Sequence, residues 1–163
     1  MKIKLFFIVA LLFFGCSTGG SNAEISETGH CYFYSAVYLS NPSDPYSLAS
    51  QIKPYFPNSL GYLKPVFCHI YGPFGYSLEE VSDPSVAEKW VKEQPLIAHI
   101  RINTDTWHFL VITNIIGNKI NALDTGGKYT ELAFTISQNN GIWIENGIYC
   151  GSQILNFKRL FVK

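Results

Sequence analysis

Residues 107–124 read WHFLVITNIIGNKINALD. A β-branched and aromatic run (Phe109, Leu110, Val111, Ile112) leads to Gly117-Asn118, and a second run ends on the acid Asp124. Strand-forming runs flanking a two-residue, glycine-containing turn are the signature of a β-hairpin. His108 stands at the head of the first strand and Asp124 at the end of the second, so an imidazole and a carboxylate come to the same end of the hairpin. Side-chain alternation adds a condition. A two-residue turn pairs Ile116 with Lys119, and in that register His108 and Asp124 point to opposite faces. For the two to meet, the hairpin needs a three-residue loop or a β-bulge.

Upstream of this hairpin, Phe33, Ala36, Val37 and Ser40 recur at helical spacing and predict a helix from Cys31 to Ser40. A thiol opening a helix meets the positive end of the macrodipole and several unpaired N–H groups, which favour the thiolate. A second helix begins at Asp44-Pro45 and is ended by Pro54 and Pro57. A strand is expected over 66–71. A third helix starts at Asp83-Pro84 with Val86, Ala87, Trp90 and Val91 on one face, and Pro95 breaks it into a strand over 96–102. Beyond the hairpin, Thr125-Gly126-Gly127 reads as a loop, followed by strands over 129–136, 141–145 and 154–162. Helices first, then mostly antiparallel strands, make an α+β domain. Trp90 and Trp107 read as core residues, and His30, His69 and His99 as structural or exposed ones.

The N-terminus has a different character. Lys2 and Lys4 precede an uninterrupted apolar run from Leu5 to Phe14, the pattern of an export signal and too short to span a bilayer. Its end, Leu12-Phe13-Phe14-Gly15-Cys16, resembles a bacterial lipoprotein cleavage box, which makes Cys16 the expected acylated residue and membrane anchor. Residues 1–16 are then the signal, the small polar stretch 17–28 a flexible tether, and 29–163 the domain. With Lys2 and Lys4 removed, ten basic side chains face twelve acidic ones, and no basic patch points to nucleic acid. Hydrophobic content of 47% argues against disorder and for a packed core. After Cys16, three cysteines remain in a compartment where disulfides persist, so at least one thiol is unpaired. A Cys68–Cys150 bond would leave Cys31 free. The chain has no CxxC or HExxH motif, and neither a metal nor a cofactor is expected.

Cys31, His108 and Asp124, in that chain order, resemble the nucleophile, base and orienting residue of papain-like cysteine peptidases, and the likeness covers roughly residues 29–132. It is nearest to the bacteriocin-leader-processing (double-glycine peptidase-like) type. There a helix runs behind a proline into a strand (89–102), and a strand then opens on His with aromatic or aliphatic residues (108–111). A strand ending in Asp near a Gly closes the pattern (123–126). The resemblance implies a papain-like fold with N-terminal helices on the sheet. It also implies hydrolysis of peptide or isopeptide bonds in a protein or peptide substrate. Cys31 is then the nucleophile, His108 the general base and acid, and Asp124 the orienter of the imidazole. The family's oxyanion glutamine before the cysteine is replaced by Ile25, leaving Ser26 or Asn22 as side-chain donors beside the Cys31 N–H. Two variants stay open. Cell-wall peptide amidases carry Asp-Cys-Ser-Gly where this chain has Gly29-His30-Cys31-Tyr32. Ovarian-tumour-type deubiquitinases share Gly-x-Cys-x-Phe-x-Ser but carry an aspartate where Thr28 stands. From another class comes a non-catalytic binding lipoprotein that keeps the fold and uses its aromatic surface, which ten tyrosines would supply.

Overall fold

A computed structural model describes residues 31–52, 54, 75–125 and 129–162. The signal, the tether, Cys16, Asn22, Ser26 and the strand expected over 66–71 lie outside them. Among the described residues, three helices, α1 (Cys31–Ser40), α2 (Pro45–Ile52) and α3 (Pro84–Val91), accompany seven strands. The strands are β1 (Tyr76–Val81), β2 (Leu96–Arg101), β3 (Trp107–Ile116), β4 (Lys119–Asp124), β5 (Thr130–Ser137), β6 (Ile142–Ile144) and β7 (Gln153–Val162). Among the described residues two helices precede the first strand and every strand pairing is antiparallel, so the class is α+β.

Strand order in the sheet is β1-β7-β2-β3-β4-β5-β6, and β6 also pairs with β7. That last pairing closes β2 through β7 into a ring and leaves β1 attached to the C-terminal half of β7. A closed ring leaves few unpaired strand edges. The alternation of β2, β3 and β4 then sorts their side chains. Ile100, Leu110, Ile112, Ile120 and Ala122 join Ala87, Trp90 and Val91 of α3 in one buried cluster. Ile97 and Phe109 face the other way and meet Phe33, Ala36 and Val37 of α1 and Leu48 of α2.

Local chemistry explains the helix starts. Asp83 caps α3 by accepting from the N–H of Ser85 at 2.8 Å, with Pro84 in the first turn. Asp44 does the same for α2, accepting from the N–H of Ser47 at 3.2 Å. The predicted helix over 31–40 forms as α1 with the same bounds.

One reading needs correction. Trp107 is not core. It is 47% exposed at the first position of β3, paired with Arg101 where the strand begins, whereas Trp90 is buried under the Arg159 guanidinium, 4.1 Å above its ring. Cys150 is an exposed free thiol whose Sγ donates to the Glu145 carbonyl at 3.0 Å, and Cys68 lies outside the described residues. Strand β1, YSLEEV, is an addition to the elements read from the sequence.

Candidate active site

The hairpin brings His108 and Asp124 together by the second of the two routes that alternation allows. Its turn is the two-residue Gly117-Asn118, with Ile116 opposite Lys119. The register then shifts: Asn114 pairs with Asn121, but Ile112 pairs with Ala122, so Thr113 is an extra residue in β3. Its hydroxyl donates to the Asn121 carbonyl at 3.2 Å. This β-bulge places Leu110 opposite Asp124, and His108, two residues earlier on the same face, becomes the diagonal neighbour of that acid.

Across this diagonal, His108 Nε2 and Asp124 Oδ1 are 2.9 Å apart, with side chains 13% and 20% exposed. With Nε2 engaged by the carboxylate, the other ring nitrogen is left for the Cys31 thiol, the ring's second hydrogen-bonding and charge partner. Cys31 is the first residue of α1 and is 3% exposed. Burial by itself pushes the His108 pKa down. The hydrogen bonds to Asp124 and Cys31, and the charges of both, outweigh it and raise the pKa from 6.5 to about 9. An imidazole with that pKa holds its proton at neutral pH beside the Cys31 thiol, the pairing that thiol nucleophiles use.

Three residues complete the site that sequence patterns left unread. Tyr149 donates its phenolic hydroxyl to Asp124 Oδ2, and its ring stacks on His108 with centroids 5.4 Å apart and 30° between planes. Burial first, then the hydrogen bond and charge of Asp124, raise the phenol's pKa well above 10, which keeps it a donor. Tyr149 sits in the turn between β6 and β7. The Ser152 N–H donates to its carbonyl at 2.9 Å, and Gly147 and Gly151 on either side adopt positive φ. Thr125 follows Asp124 and is fully buried beneath α1. Its hydroxyl proton is shared between the carbonyls of Phe109 at 2.9 Å and Cys31 at 3.1 Å, which leaves the Ser35 hydroxyl, 3.0 Å away, as donor to Thr125 Oγ1. Ser35, Thr125 and Tyr149 come from α1, a loop and a turn, and no short motif links them.

Other candidates fall elsewhere. His99 stacks on Phe109 with centroids 4.5 Å apart, and burial first, then the Lys158 charge, lowers its pKa, in keeping with a structural role. His30, His69 and the oxyanion candidates Ser26 and Asn22 lie outside the described residues. Among the described residues, no group of three or more His, Cys, Asp or Glu side chains converges to hold a metal ion. No model of a known protein family, no curated protein and no solved structure matches this chain, so its chemistry rests on its own geometry.

Proposed function

We propose that this chain is an exported thiol hydrolase of papain-like fold, cleaving peptide or isopeptide bonds through Cys31, His108 and Asp124. The observation that carries the reading is one imidazole held between a carboxylate and a thiol that opens a helix. In this reading His108 takes the Cys31 proton and the thiolate attacks the substrate's acyl carbon. The oxyanion lies against the Cys31 N–H, in the first turn of a helix where N–H groups are available to an anion. Collapse of the tetrahedral adduct expels the amine, which leaves with the proton from His108, and a thioester remains. Water, deprotonated by His108, then attacks the thioester, releasing the acid and restoring the thiol. Asp124 keeps the ring in one orientation and one tautomer throughout. The signal-like pattern of residues 1–16 supports an activity outside the cytoplasm, and acylation of Cys16 would hold it at the membrane.

One observation favours a second reading, a non-catalytic binding lipoprotein on the same fold: at 3% exposure the thiol is little accessible. Acyl transfer separates the two. Purified protein is incubated with p-nitrophenyl acetate and its mass is followed. A hydrolase gains one acetyl group on Cys31, which is absent in Cys31→Ser and forms on the order of 100-fold more slowly in His108→Ala, the usual worth of a general base. Acetylation of Cys31 at the same rate without His108, or no acetylation, contradicts the enzyme and leaves the binding protein.

A further inference from the structure

Thr125 stands outside the proton path, yet it bonds the backbone of the nucleophile and of the residue after the base, and follows the acid in sequence. The residue is fully buried, and so is Ser35, whose hydroxyl it accepts from. Its own hydroxyl reaches the carbonyl of Cys31, the nucleophile, and that of Phe109, the residue after the base. Its main chain is the continuation of Asp124. Cys31 and Thr125 are 94 positions apart in sequence, and α1 belongs to the helical layer while His108 and Asp124 belong to the sheet. Apolar packing of Phe33, Ala36 and Val37 presses α1 onto the sheet without fixing where along β3 its first residue comes to rest. Directional bonds do fix it, because a hydroxyl has one proton and defined lone pairs.

We propose that Thr125 is a positioning residue that sets the nucleophile's distance from the imidazole by tying the first turn of α1 to the start of β3 and the end of β4. The proposal rests on the thiol-hydrolase reading for its consequence in catalysis and on the hydrogen bonds alone for its geometry. The side chain must carry a hydroxyl. Serine can make all three bonds, while valine fills the same volume and makes none.

The test compares the full chain with Thr125→Val and Thr125→Ser by two readouts, the NMR titration of the His108 imidazole and the rate of Cys31 carboxamidomethylation by iodoacetamide. Thr125→Val is expected to move the His108 pKa from about 9 back toward 6.5, because the thiol is one of the groups holding it up. It is expected to slow labelling about 100-fold, the order lost when a reacting group is displaced by about an ångström. Thr125→Ser should keep the wild-type titration and label within about threefold of wild type, the scatter usual for such contributions. Wild-type titration in Thr125→Val, however much stability it loses, would overturn the proposal. So would a Thr125→Ser protein that folds but titrates as a valine variant should. The hydrolase reading fails separately, when wild-type labelling is indifferent to His108→Ala, and the titration still judges Thr125 in that case.

Discussion

At the residue scale, the site depends on how the Asp124 carboxylate is divided. Oδ1 holds the His108 ring at 2.9 Å and Oδ2 takes the Tyr149 hydroxyl, so both oxygens are committed and the carboxylate has one rotamer that satisfies both. Tyr149→Phe keeps the ring stacked on His108 and removes only the donor. We expect it to cost about 1.5 kcal/mol of stability by urea denaturation, the low end for a bond to a charged group because the site is partly wet. Acetylation of Cys31 should fall by about tenfold, corresponding to about 1.4 kcal/mol lost in the transition state. A Phe variant equal to wild type in both would mean that the phenol does not hold Asp124. Cys31, His108 and Asp124 were legible in the sequence because each sits at a marked place: a helix start, a strand head and a strand end before a loop. Tyr149 was not, because NGIYCGS reads as an ordinary turn and nothing local says that its tyrosine folds back over a histidine 41 positions earlier.

At the element scale, the decisive feature is the bulge at Thr113. Alternation alone required either a bulge or a longer loop if His108 and Asp124 were to share a face. The position of the extra residue could not be read, since Thr113-Asn114 is as compatible with a regular strand as with an irregular one. The bulge absorbs one residue without disturbing the pairs on either side, and this leads to an unusual expectation. Deleting Thr113 leaves Leu110 opposite Asp124 and Ile115 opposite Ile120, so the protein should fold and keep the His108 titration. Deleting Val111 instead turns His108 to the other face together with the strand start, and should abolish both. Equal loss of the raised His108 pKa in the two deletions would contradict this account of the register. The elements themselves were mostly legible from punctuation and periodicity. Strand β1 was not, because Glu79-Glu80 interrupts its apolar alternation, and those side chains are instead held by Arg159 at 2.8 Å and by Lys158 from the neighbouring β7.

At the scale of the whole molecule, a closed antiparallel ring packs α1 and α2 on one apolar cluster and α3 on another. Phe33 is fully buried where α1 meets the sheet, and Phe33→Ala should cost about 3–5 kcal/mol by urea denaturation, the usual loss for a large aromatic in a core. A loss under about 1 kcal/mol would mean that α1 is loosely attached. Ring closure was not legible, since it depends on β6, three residues long, finding β7 as well as β5. Global stability should also carry the signature of the site. In a Cys31→Ser background the thiol is gone, and the Asp124 hydrogen bond and charge, which oppose burial, are expected to hold the His108 pKa above its unfolded value of 6.5. The folded protein then keeps a proton that the unfolded chain releases. This contribution is complete below pH 6.5 and disappears as pH rises through the folded value. The urea midpoints of Cys31→Ser with and without Asp124→Asn should therefore converge at alkaline pH, and a gap independent of pH would contradict the linkage. The most direct test of the central claim, that Cys31, His108 and Asp124 act as one ionic unit, is the NMR titration of the His108 imidazole in the wild type, Asp124→Asn and Cys31→Ser. The account predicts titration near pH 9 in the wild type and a fall of about a unit or more in each variant. Titration near 6.5 that neither substitution moves would contradict it.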